Sequence, residues 1–88
     1  MSAGTNLLLD AADAIRQRGA VYGSARDNMQ RTAAMWSPVL GIEVTGHQVA
    51  ICLMLLKIAR LVETPDHADS VIDIAGYAAV LRECQDSI

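Results

Sequence analysis

Phenylalanine is missing from this chain, and its only aromatic residues are Tyr22, Trp36 and Tyr77. A core must then be built from Leu, Ile, Val, Ala and Met, the palette of helix bundles. Basic residues are sparse: seven Lys and Arg stand against ten Asp and Glu, for a net charge of −3. No basic run exists, which excludes broad electrostatic binding of a nucleic acid polymer and leaves room only for a local pocket for a small anion. Cysteine is limited to Cys52 and Cys84. There is no CxxC and no Cys/His spacing suited to zinc, so both are expected as buried thiols in apolar helices. Long hydrophobic runs are also lacking. Val49–Leu56, closed by Lys57, is far shorter than the roughly 20 residues of a membrane span. The N-terminus MSAGTNLLLD has no basic n-region and reads as mature protein. The expected location is the cytoplasm, with no membrane partner. No Ser/His/Asp or Cys/His arrangement has supporting spacing, so no catalytic residue, metal ligand or cofactor is assigned. His47 and His67 are expected on the surface.

Against these absences stands an apolar excess. Hydrophobic residues make up 52% of 88 residues. A chain of this length buries only about 60–65% of its unfolded surface. The surplus points to one all-α domain over residues 1–88 that assembles with itself as a dimer or larger oligomer. Trp36 or Leu53 is expected near the interface.

Periodicity and caps predict four helices. Asn6 or Thr5 caps a first helix over 6–18, with Leu8, Ala11, Ala12 and Ile15 as its stripe and Gly19 as its stop. After the loop 19–24, Ser24 caps a second helix over 25–36, ended by Pro38. Thr45 and Gln48 form a capping box for a third, whose all-apolar start suits a central or oligomer-forming helix. Asp66 caps a fourth over 67–85, with a frayed tail from Gln85. Gly76, inside it, suggests close approach of another helix or of a ligand.

Four charges interrupt the two apolar helices that flank the turn Glu63-Thr64-Pro65-Asp66. Lys57 and Arg60 are three apart on one, while Asp69, Asp73 and Tyr77 follow an i, i+4, i+8 stripe on the other. In an antiparallel pair, two cations then face two carboxylates across one seam. The seam reads either as an ion-pair network that sets the hairpin register or as a phosphate or ribose pocket. Tyr22-Gly23 reads as a turn with a packed tyrosine or as a loop that covers a base or sugar. Asn28 lies one helical turn further on, beside the helix start at Ser24, whose free N–H groups suit an anion.

Tyr22-Gly23, Asn28, Trp36-Ser37, the run Leu56-Lys57-Ile58-Ala59-Arg60-Leu61, Asp69 and the run Asp73-Ile74-Ala75-Gly76-Tyr77-Ala78 together resemble a group of small phage and prophage proteins. These look like a compact version of the phage nucleotide-modification-associated family, across roughly residues 7–83. The fourth helix more distantly resembles that of the all-α nucleotide pyrophosphohydrolases of the MazG and dUTPase type, at Asp69, Asp73 and Tyr77. Those enzymes hold magnesium with a further E-x-x-E pair on the preceding helix. This chain carries Lys57 and Arg60 there, and cations cannot ligate magnesium. The resemblance therefore implies a four-helix MazG-like bundle that binds a nucleotide or nucleotide-derived signalling molecule without turning it over. In a phage setting this is a sponge that sequesters a second messenger of host defence, in the host cytoplasm. Its expected ligand-binding residues are Tyr22, Gly23, Asn28, Lys57, Arg60, Asp69, Asp73 and Tyr77. The alternatives are a magnesium-dependent pyrophosphohydrolase using Asp69, Asp73 and Glu63 or Asp66, a phage nucleotide-metabolism or base-modification protein, and a purely protein-binding module.

Overall fold

The helix caps set the architecture. A computed structural model describes residues 2–85, and within them the chain forms α1 (Ala3–Tyr22), α2 (Ala25–Leu40), α3 (Gly46–Glu63) and α4 (Ala68–Gln85), with no strand. The tail beyond Gln85 lies outside the described residues. Ser24 accepts the Asp27 N–H at 3.1 Å and opens α2. Thr45 and Gln48 make the full reciprocal capping box that opens α3. Both starts follow the sequence reading.

The other ends do not all follow it. Ser2, not Thr5 or Asn6, caps α1 by accepting the Thr5 N–H at 3.2 Å. α1 also runs through Gly19 and stops only at Gly23, whose φ of 80° is a conformation that other residues resist. α2 continues past Pro38 to Leu40 and ends at Gly41, a left-handed cap with φ 72°. Proline forfeits one backbone donor, a modest loss in a last turn whose geometry Gly41 closes by donating to the Ser37 carbonyl at 2.9 Å. The Ser37 hydroxyl also accepts the Val44 N–H at 2.9 Å, tying the α2–α3 linker to α2. His67 rather than Asp66 caps α4: its Nδ1 accepts the Ser70 N–H at 3.3 Å and hydrogen-bonds the Ser70 hydroxyl at 2.7 Å. His67 stays exposed, as expected, whereas His47 is half-buried beside Thr45.

The core is small and lies between α2, α3 and α4. Met29 and Ala33, Val49 and Ala50, and Cys84 are buried, with Trp36, Val44, Leu53, Val80 and Leu81 packed around them. Trp36 and Leu53 therefore belong to the core of one chain. Gly46 permits the tight entry of α3: a β-carbon there would sit 3.3 Å from the Gln30 backbone nitrogen and 3.4 Å from Met29. Cys84 is buried, and burial pushes its thiol up, partly countered by Arg26. Cys52 is exposed, against expectation, because its position falls on the outer face of α3.

α1 docks on α4 and carries one buried residue, Ala11. This loose docking leaves an open architecture. The radius of gyration is 13.8 Å, against about 12 Å for a compact domain of this length.

Candidate functional site

The departure of α1 from the rest of the bundle opens a cavity of about 700 Å³ between the second half of α1, the first turns of α2 and the middle of α4. That volume suits a small organic ligand. Its apolar walls come from Ala14 and Ile15 on α1, Met29 on α2, and Ile72 and Val80 on α4. Polar and aromatic groups stand at its edge: Arg18 and Tyr22 from α1, Ser24, Arg26 and Asn28 at the start of α2, and Asp73, Tyr77 and Glu83 from α4. The two-residue connection Gly23-Ser24 brings the end of α1 and the N-terminus of α2 to one rim. Free N–H groups and the positive end of the α2 dipole meet there.

Five of the residues named from the sequence meet in this cavity: Tyr22, Gly23, Asn28, Asp73 and Tyr77. Tyr22 is exposed on the rim rather than packed in a turn, while Asn28 and Tyr77 are half-buried in the walls. Lys57 does not line the cavity but stands behind it, its Nζ 2.9 Å from Asp73 Oδ2. Arg60 and Asp69 are exposed near the α3–α4 turn, outside the cavity. The seam of two cations facing two carboxylates is thus one pair, Lys57–Asp73. Arg60 and Asp69 share the helix stripes but lie too close to the helix ends for packing to press them together.

The second cation at Asp73 comes from an element the sequence reading did not connect to it. Arg18 on α1 reaches Asp73 Oδ1 at 3.4 Å across 55 positions of chain. Arg26 is a further cation at the same cavity. Arg16 and Arg18 alternate in sequence, and no local spacing distinguishes the one that turns toward α4. Asp73 therefore ties α4 to both α3 and α1. Burial pushes its carboxyl up, but the hydrogen bond and charge of Lys57, with the charge and weaker bond of Arg18, outweigh this and hold it below the ordinary aspartate value.

A pH dependence follows from that direction. A carboxyl whose folded-state pKa is depressed contributes its stability above its unfolded-state pKa, and the contribution is lost as pH falls through the folded-state value. Urea midpoints of the wild type are expected to fall more steeply between about pH 5 and pH 3 than those of Asp73→Asn, the ordinary aspartate titrating near pH 4. Equal slopes for the two proteins would show that the pairing contributes nothing.

Two glycines complete the cavity. Gly19 and Gly76 both line it, both sit inside helices, and a β-carbon at either would meet no atom within 4 Å. Nothing packs against the β-carbon position of Gly76, so close helix contact on that side does not explain it. Each costs its helix about 1 kcal/mol against alanine, with no packing gain in return. What the two do provide is open space within the cavity.

Among the described residues, no three His, Cys, Asp or Glu side chains gather as metal ligands. Glu63, Asp66, Asp69 and Asp73, the carboxylates of the pyrophosphohydrolase alternative, do not converge. No helix is long and apolar enough to cross a membrane among the same residues.

Comparison with known proteins places the chain among phage proteins. It is 47% identical over 70 residues to the Gene 55 protein of Mycobacterium phage L5, covering 78% of this chain and 45% of that protein. It is 40% identical over 66 residues to the Gene 55 protein of Mycobacterium phage D29, covering 75% of this chain and 44% of that protein. The chain thus spans less than half the length of these relatives. No solved structure matches it. The family profile described as a domain of unknown function, DUF6378, matches residues 6–85, and with nearly every residue of the four helices inside that match, the chain belongs to the DUF6378 family.

Proposed function

We propose that the chain binds a nucleotide or nucleotide-derived signalling molecule in the cavity between α1, α2 and α4 and holds it unchanged. One observation carries the reading: two arginines and two tyrosines, contributed by three helices, converge on one cavity of ligand size. The chemistry of a nucleotide divides in the same way. Arg18, Arg26 and the N-terminus of α2 suit phosphate oxygens. Tyr22 and Tyr77 offer faces for a base, and the Asn28 amide can both donate to and accept from a base edge or ribose. Asp73 keeps Lys57 at 2.9 Å, so the longer and more exposed contact of Arg18 can be given up to a ligand. Lys57 then acts as the group that positions Asp73, and Arg60 and Asp69 have no part in binding. In an infected cell such a protein would sequester a signalling nucleotide rather than consume it, in the host cytoplasm.

Calorimetric titration of the wild type against cyclic and linear mono- and dinucleotides tests this. At least one member of the panel is expected to bind and to be recovered intact after heat denaturation. A charge-assisted hydrogen bond contributes about 1.5–3 kcal/mol, so Arg18→Ala and Arg26→Ala should each weaken binding roughly 10- to 150-fold. If no nucleotide binds the wild type more tightly than about 100 µM, roughly −5.5 kcal/mol, the nucleotide reading fails for that panel. Arg60→Ala should leave affinity unchanged.

A further inference from the structure

The outer face of α3 is apolar along nearly its whole length. Ile51, Leu55, Ile58 and Val62 follow one another at spacings of 4, 3 and 4 and are all exposed, Leu55 at 57% and Val62 at 81%. Advancing 100° per residue, these four fall within one narrow stripe. Cys52 and Ala59 flank it and are exposed as well. From Gly46 to Ala59 the only charged side chain is Lys57, and it turns inward to Asp73. Water-facing helix surfaces ordinarily carry polar side chains, and this one carries none along the stripe.

We propose that this face is the contact between two copies of the chain, packed antiparallel about a two-fold axis between Leu56 and Lys57. The stripe is self-complementary in that arrangement. Ile51 of one copy lies opposite Val62 of the other, and Leu55 opposite Ile58, so the same four residues supply both sides, as an isologous contact requires. The alternating 4 and 3 spacing is that of a helix–helix seam. No charge on the stripe has to be stripped of water, and antiparallel helices oppose their dipoles favourably. The area agrees. The accessible surface is 5970 Å² for a chain of 9.4 kDa, where about 5000 Å² is usual for a folded monomer of that mass. A stable interface takes about 800 Å² from each partner, the same order as this whole-chain excess, to which the α3 stripe contributes together with exposed apolar side chains on α1 and α2 such as Leu8 and Val39. Leu53, on the opposite side of α3, stays in the core of its own chain.

Multi-angle light scattering on the full chain between about 1 and 100 µM, the range that separates weak from stable self-association, is the test. The wild type is expected at twice 9.4 kDa, and Leu55→Glu at the monomer mass with its helical circular dichroism intact. Leu8→Glu, an equally exposed position on α1, should remain a dimer. A wild type found at monomer mass throughout, or a Leu55→Glu variant that still dimerises, overturns the proposal. So does a wild type whose mass falls to the monomer only when another protein of the cell is removed. Should Leu55→Glu fail to fold, the wild-type melting temperature decides. It must rise with protein concentration if folding and pairing are linked, and a constant value counts against the dimer. The register has its own readout. Antiparallel packing offsets the two Cys52 residues by nine positions, about 13 Å along the axis, beyond the Cα separation of about 7 Å that a disulfide tolerates. Formation of a Cys52–Cys52 disulfide on mild oxidation would overturn the antiparallel arrangement.

Discussion

Gly76→Leu is expected to abolish the proposed nucleotide binding, by roughly 100-fold or more, while making the protein more stable. The two effects have separate causes. Gly76 is in the interior of α4, and nothing lies within 4 Å of a β-carbon built on it. The β-carbon of a substituted residue therefore meets no atom in the free protein, and a leucine regains most of the roughly 0.8–1 kcal/mol of helix propensity that glycine forfeits. For a domain of this size that corresponds to a rise in melting temperature of about 4–8 °C. The same side chain projects into the cavity that Arg18, Tyr22 and Tyr77 border, where it would take the place of the proposed nucleotide. Gly19→Leu, from α1, should act in the same direction. Calorimetry on any nucleotide that binds the wild type, paired with thermal melts, reads both effects. Undiminished binding in Gly76→Leu would place the ligand elsewhere on the molecule.

Asp73→Leu should cost about 1–3 kcal/mol of folding stability, the usual result of leaving a partly buried charge without its hydrogen-bonded partner. Lys57 is the stranded partner: its side chain is 14% exposed and its Nζ lies 2.9 Å from the carboxylate that is removed. A domain of 88 residues has about 4–13 kcal/mol in total, so the loss is a large part of the whole. Lys57→Met combined with Asp73→Leu should recover much of it, because two apolar side chains can replace an ion pair at little cost. Arg60→Ala, an exposed residue outside the seam, should stay within about 0.5 kcal/mol of the wild type. Urea denaturation at neutral pH separates these cases. If Asp73→Leu unfolds at the wild-type midpoint, Asp73 does not tie the helices together.

The helix count, the starts of α2 and α3 and the pairing of Lys57 with Asp73 could be read from the chain, because each depends on residues a few positions apart or on a short hairpin. Ser24 reaches Asp27 and Thr45 reaches Gln48 within one turn. Lys57 and Asp73 sit at nearly equal heights either side of the Glu63–Asp66 turn. Asp73 and Tyr77 share one helical stripe and Tyr22, Gly23 and Asn28 lie about one helix start, two local groupings that the family likeness joins, and all five line one cavity. Where helices ended was less legible. Gly19 and Pro38 are breakers by type, yet each helix continues to a glycine with positive φ a few residues later. A cap that closes the backbone geometry outweighs a single poor residue within the last turn.

Periodicity, caps and composition were enough for an all-helical chain with too much apolar surface and one charged hairpin. It took the packing of the four helices to place Arg18 and Arg26, and not Arg60, at the cavity, to open it at Gly19 and Gly76, and to turn Ile51, Leu55, Ile58 and Val62 outward. The physical reason is the same in each case. Helical periodicity tells which residues share a face, a relation that holds within a few turns. Which face meets which neighbour depends on how far each helix is rotated and where it crosses the others. That is set by packing between residues as distant in sequence as Arg18 and Asp73.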